Sequence, residues 1–237
     1  MGSGADLFVV CKHCGSEVSP YVTECPYCGQ RIRRRAPKIP RPDSKPRRAR
    51  RVRAPAWSVE RPWATVSLVA AGCAGWVLVH ARPTIYLNAT VVGPLEGKWW
   101  RLLTSPFLYQ NGGYAFVALV ACALFGTLLE RERGPLVVLV LFFAAAVTGE
   151  LLELALNSVP LATGANGAAL ALLTAYAAPQ LLAARGGEEH TADLLGTGAI
   201  AIVLLALPAV VAEASWVSGF AGVAIGAPVG VGLRAAV

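Results

Sequence analysis

The chain has 237 residues, of which 55% are apolar and only 15% charged, with a mean hydropathy of +0.55. That composition excludes an ordinary soluble domain and is that of a membrane protein. The formal charge of +7 is concentrated in the first 62 residues, and the remainder is slightly acidic. The N-terminus is polar and cysteine-rich, and no apolar run precedes residue 63. No cleaved leader is therefore expected, and the apolar spans should be internal and retained.

The first element is a module over residues 1–30. Cys11-Lys12-His13-Cys14-Gly15 and Cys25-Pro26-Tyr27-Cys28-Gly29 repeat one pattern. Each Cys-x-x-Cys presents two thiolates from a tight turn, and the glycine after it permits positive φ. Four thiolates satisfy one tetrahedral zinc ion with no open position, which predicts a structural site at Cys11, Cys14, Cys25 and Cys28. A redox dithiol pair, or iron in the same ligand set, is the alternative. The pattern resembles the short zinc-ribbon modules at the ends of many prokaryotic chains, and a prokaryotic plasma membrane is the expected location. His13 lies inside the first knuckle as a bystander. So small a module has little core, so metal is expected to hold it together.

Residues 31–62 read as a disordered basic linker. Arg31, Arg33, Arg34, Arg35, Arg47, Arg48, Arg50, Arg51 and Arg53 alternate with prolines there. Such a segment buries no core and stays extended. Its charge predicts cytoplasmic retention of the N-terminus by the positive-inside rule and attraction to anionic lipid. Nucleic acid is the third reading, and the absence of interleaved aromatics for base stacking argues against it.

The membrane domain is expected over 63–237. Apolar runs predict six helical spans near 63–80, 106–129, 135–156, 161–184, 192–212 and 215–233, with both termini cytoplasmic. The connection from Ala81 to Ser105 falls outside and is long. Glu150 and Glu153 lie within the third span, where the interface or another helix is expected to receive them, and Glu213 is expected in solvent at a turn.

The run Thr163-Gly164-Ala165-Asn166-Gly167-Ala168-Ala169 resembles the active-site loop of rhomboids, the intramembrane serine proteases. The resemblance extends through Trp100-Arg101 in the first long loop, through Gly126, Glu130 and Gly134, and through Gly219, Gly222, Gly226 and Gly230 on one face of the last span. It implies an all-α six-helix bundle in which those glycines pack the last helix against the one after Asn166. Members of the family carry Gly-x-Ser-Gly where this chain has Gly164-Ala165-Asn166-Gly167. The family's histidine, three residues before a glycine of the last helix, corresponds to Trp216. Its His-and-Asn pattern after Phe107 corresponds to Tyr109, Tyr114 and Ala118.

Indole nitrogen has no basic lone pair, so Trp216 supplies no base for a nucleophile. Ser215 and Ser218 flank it without an evident base, and His80 and His190 lie elsewhere in the chain. Trp216, larger than histidine, is expected to fill the old cavity. Asn166 is expected to be held by the loop's amides or by water, since a free amide in lipid is costly. The resemblance thus implies a pseudoprotease that binds transmembrane clients while its ribbon recruits a cytoplasmic partner. An intramembrane peptidase with unorthodox residues, taking its base from His80 or from a partner, is the rival.

Overall fold

The computed structural model describes residues 9–19, 21–32, 61–158, 160–186 and 193–235. Arg33 to Arg53 of the basic linker and His190 lie outside these residues. The chain divides into two compact units, Met1–Ala54 and Pro55–Val237.

In the first unit, strands β1 (Val9–Val10) and β2 (Glu17–Val18) pair antiparallel around the first Cys-x-x-Cys turn. Residues Glu24 and Arg31 bridge around the second. The two turns have the same construction. Cys11 N donates to Ser16 O at 2.9 Å and Cys25 N donates to Gln30 O at 2.9 Å. Gly15 and Gly29 take φ of 72° and 68°, a region that costs a side-chain-bearing residue strain. Val18, Val22 and Ile32 back the sulfurs.

The second unit is a helical bundle. Among the described residues, five helices are long and apolar enough to cross a membrane: α1 (Trp63–Ala81), α4 (Gly112–Arg133), α5 (Pro135–Leu156), α6 (Asn166–Arg185) and α8 (Trp216–Ala235). Between α1 and α4 lie α2 (Thr84–Ala89), strand β3 (Val91–Val92) and α3 (Arg101–Thr104). Strand β4 (Leu161–Ala162) precedes α6, and α7 (Leu194–Ala206) precedes α8.

Three expected spans differ. The second starts at Gly112 and not at residue 106, because Ser105–Phe107 form a 3-10 turn and Asn111 caps α4 by accepting from Tyr114 N at 3.0 Å. The fourth starts at Asn166, because Leu161–Ala162 pair with Val91–Val92 as a short ribbon. The fifth is only 13 residues long, capped at Asp193 and ended by a 3-10 turn at Leu207–Ala209. At 1.5 Å per residue it spans about 20 Å, short of a bilayer's hydrocarbon core.

Helix α6 occupies the centre. Ala168, Ala169, Leu170, Ala171 and Leu172 are all fully buried, so its apolar character continues right round. Against it, α8 packs backbone to backbone. A Cβ on Gly222 would lie 2.8 Å from Gly167 C, one on Gly226 2.7 Å from Ala171 Cα, and one on Gly230 2.8 Å from Ala175 Cα. Both rows step by four residues, so the two helices stay in register over about two turns.

Buried Glu130 of α4 performs a different task. Its carboxylate accepts from Ala64 N at 3.0 Å, Thr65 N at 2.8 Å and Thr65 Oγ1 at 2.7 Å. Those are free donors in the first turn of α1, where a negative charge is also favoured by the helix dipole. Gly126, one turn earlier, leaves room for Thr65.

The seam between α6 and α8 gives a direct test. Replacing Gly226 by leucine is expected to cost about 3 kcal/mol or more through overpacking. Gly232→Leu, where nothing lies within 4 Å, should leave stability unchanged. Thermal unfolding of the two variants in detergent micelles distinguishes them, and equal melting temperatures would contradict the seam.

Candidate functional site

The loop before α6 is fastened from several sides. Ser105 Oγ donates to Ala162 O at 2.7 Å and accepts from Val91 N at 3.4 Å, and Ser105 O accepts from Gly164 N at 3.0 Å. Tyr114 OH donates to Thr163 O at 2.8 Å, and Ala165 N donates to Tyr109 OH at 3.2 Å. Thr163 Oγ1 pairs with Tyr86 OH at 3.2 Å; burial raises the Tyr86 hydroxyl's pKa, so it stays protonated. Gly164 takes φ +73° under the Tyr109 and Tyr114 rings, where a Cβ would meet ring carbons at 2.6–2.7 Å.

On the far side of β3, Arg101 is buried and donates through Nε to Asn88 O at 2.9 Å, while Trp100 is largely exposed. Ala118, fully buried, belongs to the bundle core. None of these positions lines the space beside Asn166.

Asn166 projects from the first turn of α6 and is 2% exposed, and neither its Oδ1 nor its Nδ2 has a hydrogen-bond partner. The loop amides do not hold it, contrary to the expectation from sequence: Ala165 N is engaged by Tyr109 and Gly164 N by Ser105. Glu150 of α5 is 3% exposed, and neither carboxyl oxygen has a partner. The two side chains line one narrow space with no room for a water, together with Tyr114, Thr163, Ser215 and Ser218.

One turn along α5, Glu153 is fully engaged. Its Oε1 accepts from Asn157 Nδ2 at 2.6 Å, and its Oε2 accepts from Ser215 Oγ. Ser215 Oγ also accepts from Ser218 N at 3.2 Å, as a serine does when it caps a helix. Ser215 thus has an acidic partner that the sequence did not disclose. Both carboxylates are buried within the protein. Glu213 is not simply solvated either, since its Oε2 accepts from Gln110 N at 2.9 Å.

Trp216 does not fill this space. It is 48% exposed and stacks on Phe220 with ring centroids 6.4 Å apart. Residues two apart on a helix point nearly opposite ways. With the glycine row facing α6, Ser218 falls toward Gly149 of α5 and Trp216 falls on the other flank. Among the described residues lining the space there is no histidine, lysine or arginine. His80 Nδ1 sits 2.8 Å from Trp76 O, away from it.

The second site is the four-cysteine centre. The sulfurs of Cys11 and Cys28 lie 3.7 Å apart, those of Cys14 and Cys25 3.6 Å apart, and all four lie within 4.8 Å of one another. A tetrahedron with metal–sulfur bonds near 2.3 Å has edges of about 3.8 Å, so the donor set fits one thiolate-bound ion. Hydrogen bonds from the Ser16 side chain and backbone lower the Cys14 thiol to about 6. The Gln30 amide lowers Cys28, but burial and the sulfurs of Cys14, Cys25 and Cys11 outweigh it and push that thiol up to about 12.

A helical membrane bundle with a buried polar centre behind a glycine-packed seam, carrying a four-cysteine module, is the class defined here. Comparison with known proteins agrees. The rhomboid domain family matches residues 96–236, and the zinc-ribbon domain family matches residues 10–32. The chain belongs to the rhomboid family. The rhomboid protease GluP of Bacillus subtilis (strain 168) is 33% identical over 114 residues, 47% of this chain and 21% of that protein. The chain therefore spans about a fifth of the length of that relative.

The metal centre predicts a pH dependence. A metal must displace the proton that Cys28 retains at neutral pH, so binding releases protons and affinity rises with pH. Titration of the full chain with cobalt(II) should give thiolate charge-transfer absorption that strengthens from about pH 6 to about pH 8. Cys28→Ser should abolish the tetrahedral spectrum. An unchanged spectrum in that variant would contradict the four-sulfur site.

Proposed function

We propose that this protein is a rhomboid pseudoprotease: it binds transmembrane segments of other proteins and does not cut them. The observation that carries this reading is the side chain of Asn166, a carboxamide at the start of α6 in the place where the resemblance puts the family's serine, with no imidazole among the described residues lining its space. A carboxamide is a poor nucleophile, and no histidine lining the space could activate one. The zinc ribbon holds one structural zinc ion and recruits a partner on the cytoplasmic side. The basic linker lies against anionic lipid, and both termini are cytoplasmic in a prokaryotic plasma membrane. Nucleic acid is not the partner under this reading.

A second reading has one observation in its favour. Ser215 donates to Glu153, which pairs a hydroxyl with a proton acceptor, and the matched relative is named a protease. Against it, Ser215 is committed to capping α8.

The purified full chain in liposomes should leave model transmembrane substrates intact and resist labelling by a serine-directed phosphonate. A photocrosslinker placed at Trp216 in native membranes should capture transmembrane segments. Cleavage that disappears in Ser215→Ala would establish the second reading and end the first, and capture of lipid alone would remove the client-binding groove.

A further inference from the structure

The two hairpins of the cysteine module carry backbone groups that neither hairpin uses. In an antiparallel pair, facing residues alternate between those that exchange N–H···O bonds and those that do not. In the first hairpin Cys11 N donates to Ser16 O at 2.9 Å, and Val9 faces Val18 in the same register. Those are the bonded positions, so Val10, opposite Glu17, directs its N–H and C=O away from β2. The second hairpin repeats the arrangement. Cys25 N donates to Gln30 O at 2.9 Å, and Ile32 N donates to Thr23 O at 2.8 Å. Arg31, bridged to Glu24 between them, directs its N–H and C=O away from Glu24. Among the described residues, no backbone group is bonded to either outward edge.

The two edges border one groove. Val9 and Val10 come to it from the first hairpin and Arg31 and Ile32 from the second, with Lys12 and His13 beside them. Its volume is about 400 Å³, within the range of ligand clefts. Val10 is 57% exposed, so apolar surface is uncovered there. The acids of the two hairpins, Glu17 and Glu24, do not line it. An uncovered strand edge is a template for another strand: main-chain bonds hold the added segment, and pockets for alternate side chains select it.

We propose that this groove binds an extended acidic segment of a cytoplasmic protein as an added strand. Val10 and Arg31 each present one N–H and one C=O to its backbone. Val9, Val10 and Ile32 receive an apolar side chain of the segment, and Lys12 and Arg31 face its carboxylates. A peptide fits better than a nucleic acid, because no aromatic side chain lines the groove to stack a base. Tyr21 and Tyr27 are exposed but lie off the lining. A lipid headgroup would meet the charges and leave both edges unpaired. The proposal rests on the reading of the ribbon as a recruiting module and gives that module its site and its partner's chemistry. It is independent of whether the bundle cuts anything.

The test uses the metal-loaded full chain in detergent micelles. The probe is a fluorescein-labelled octapeptide of alternating glutamate and valine, read by fluorescence anisotropy. The basic linker also attracts acidic peptide, so three comparisons isolate the groove. Val10→Pro removes one outward N–H and no bond between β1 and β2. Lys12→Glu reverses one charge on the lining. The same peptide N-methylated along its backbone keeps its charge and cannot pair as a strand. Each change is expected to weaken binding about fivefold. An octapeptide of alternating lysine and valine should not bind.

Cobalt(II) spectra matching the wild type's establish that the variants keep the four-sulfur centre, and the N-methylated peptide needs no variant. Equal affinity in the wild type and both variants would put the peptide on the linker and overturn the proposal. Undiminished binding of the N-methylated peptide, or no binding of the parent peptide, would overturn it as well. The recruiting role is decided separately. Crosslinked partners in native membranes that are the same for the full chain and for Cys28→Ser would end that role, whereas the peptide result bears on the groove alone.

Discussion

The close approach of α6 and α8 is the constraint on which the rest of the membrane unit depends. Gly167, Ala171 and Ala175 meet Gly222, Gly226 and Gly230 with no side chain between them. In lipid, apolar surface gains little by leaving its surroundings, so contact between helices relies on packing of this kind. The register of the two rows then decides what reaches the centre. It directs Ser218 toward α5 and Trp216 away, and it sets the Asn166 amide beside Gly219, whose added Cβ would lie 3.5 Å from Nδ2. The chemistry of the centre is a consequence of backbone spacing.

The loop before α6 is fixed by hydroxyls. Tyr114 donates to it, Tyr109 accepts from it, and both rings cover Gly164. Ser105 ties the same loop to the β3 ribbon. Three hydroxyl-bearing residues thereby satisfy backbone groups that would be costly to leave bare in an apolar setting. Among the described residues, the buried side-chain atoms left without a partner belong to Asn166 and Glu150.

Much of the architecture was legible from sequence because it rests on short-range pattern. The paired Cys-x-x-Cys-Gly turns, the apolar runs and the four-residue glycine spacing each carry their geometry within a few residues. Helix starts were misjudged where an apolar run continued through a different backbone form, as at Pro106 and at Leu161–Ala162. The centre was legible only in part. Tyr114 and Asn166 could be placed from motif alone. The Ser215–Glu153 bond joins residues 62 positions apart and depends on the rotation of two helices, which neither motif nor hydropathy supplies. Two acids three apart on α5 and two serines three apart on α8 were the available hint. The expectation for Trp216 failed for the same reason: side-chain size was judged without knowing which flank of α8 it occupied.

The clamp at Glu130 has a mechanical side. Three hydrogen bonds join this one carboxylate to Ala64 and Thr65, just after the chain enters α1. Glu130 sits near the end of α4, and Gly134 follows as the hinge into α5. The first turn of α1 is thereby anchored to the α4–α5 corner and not only to its own helix.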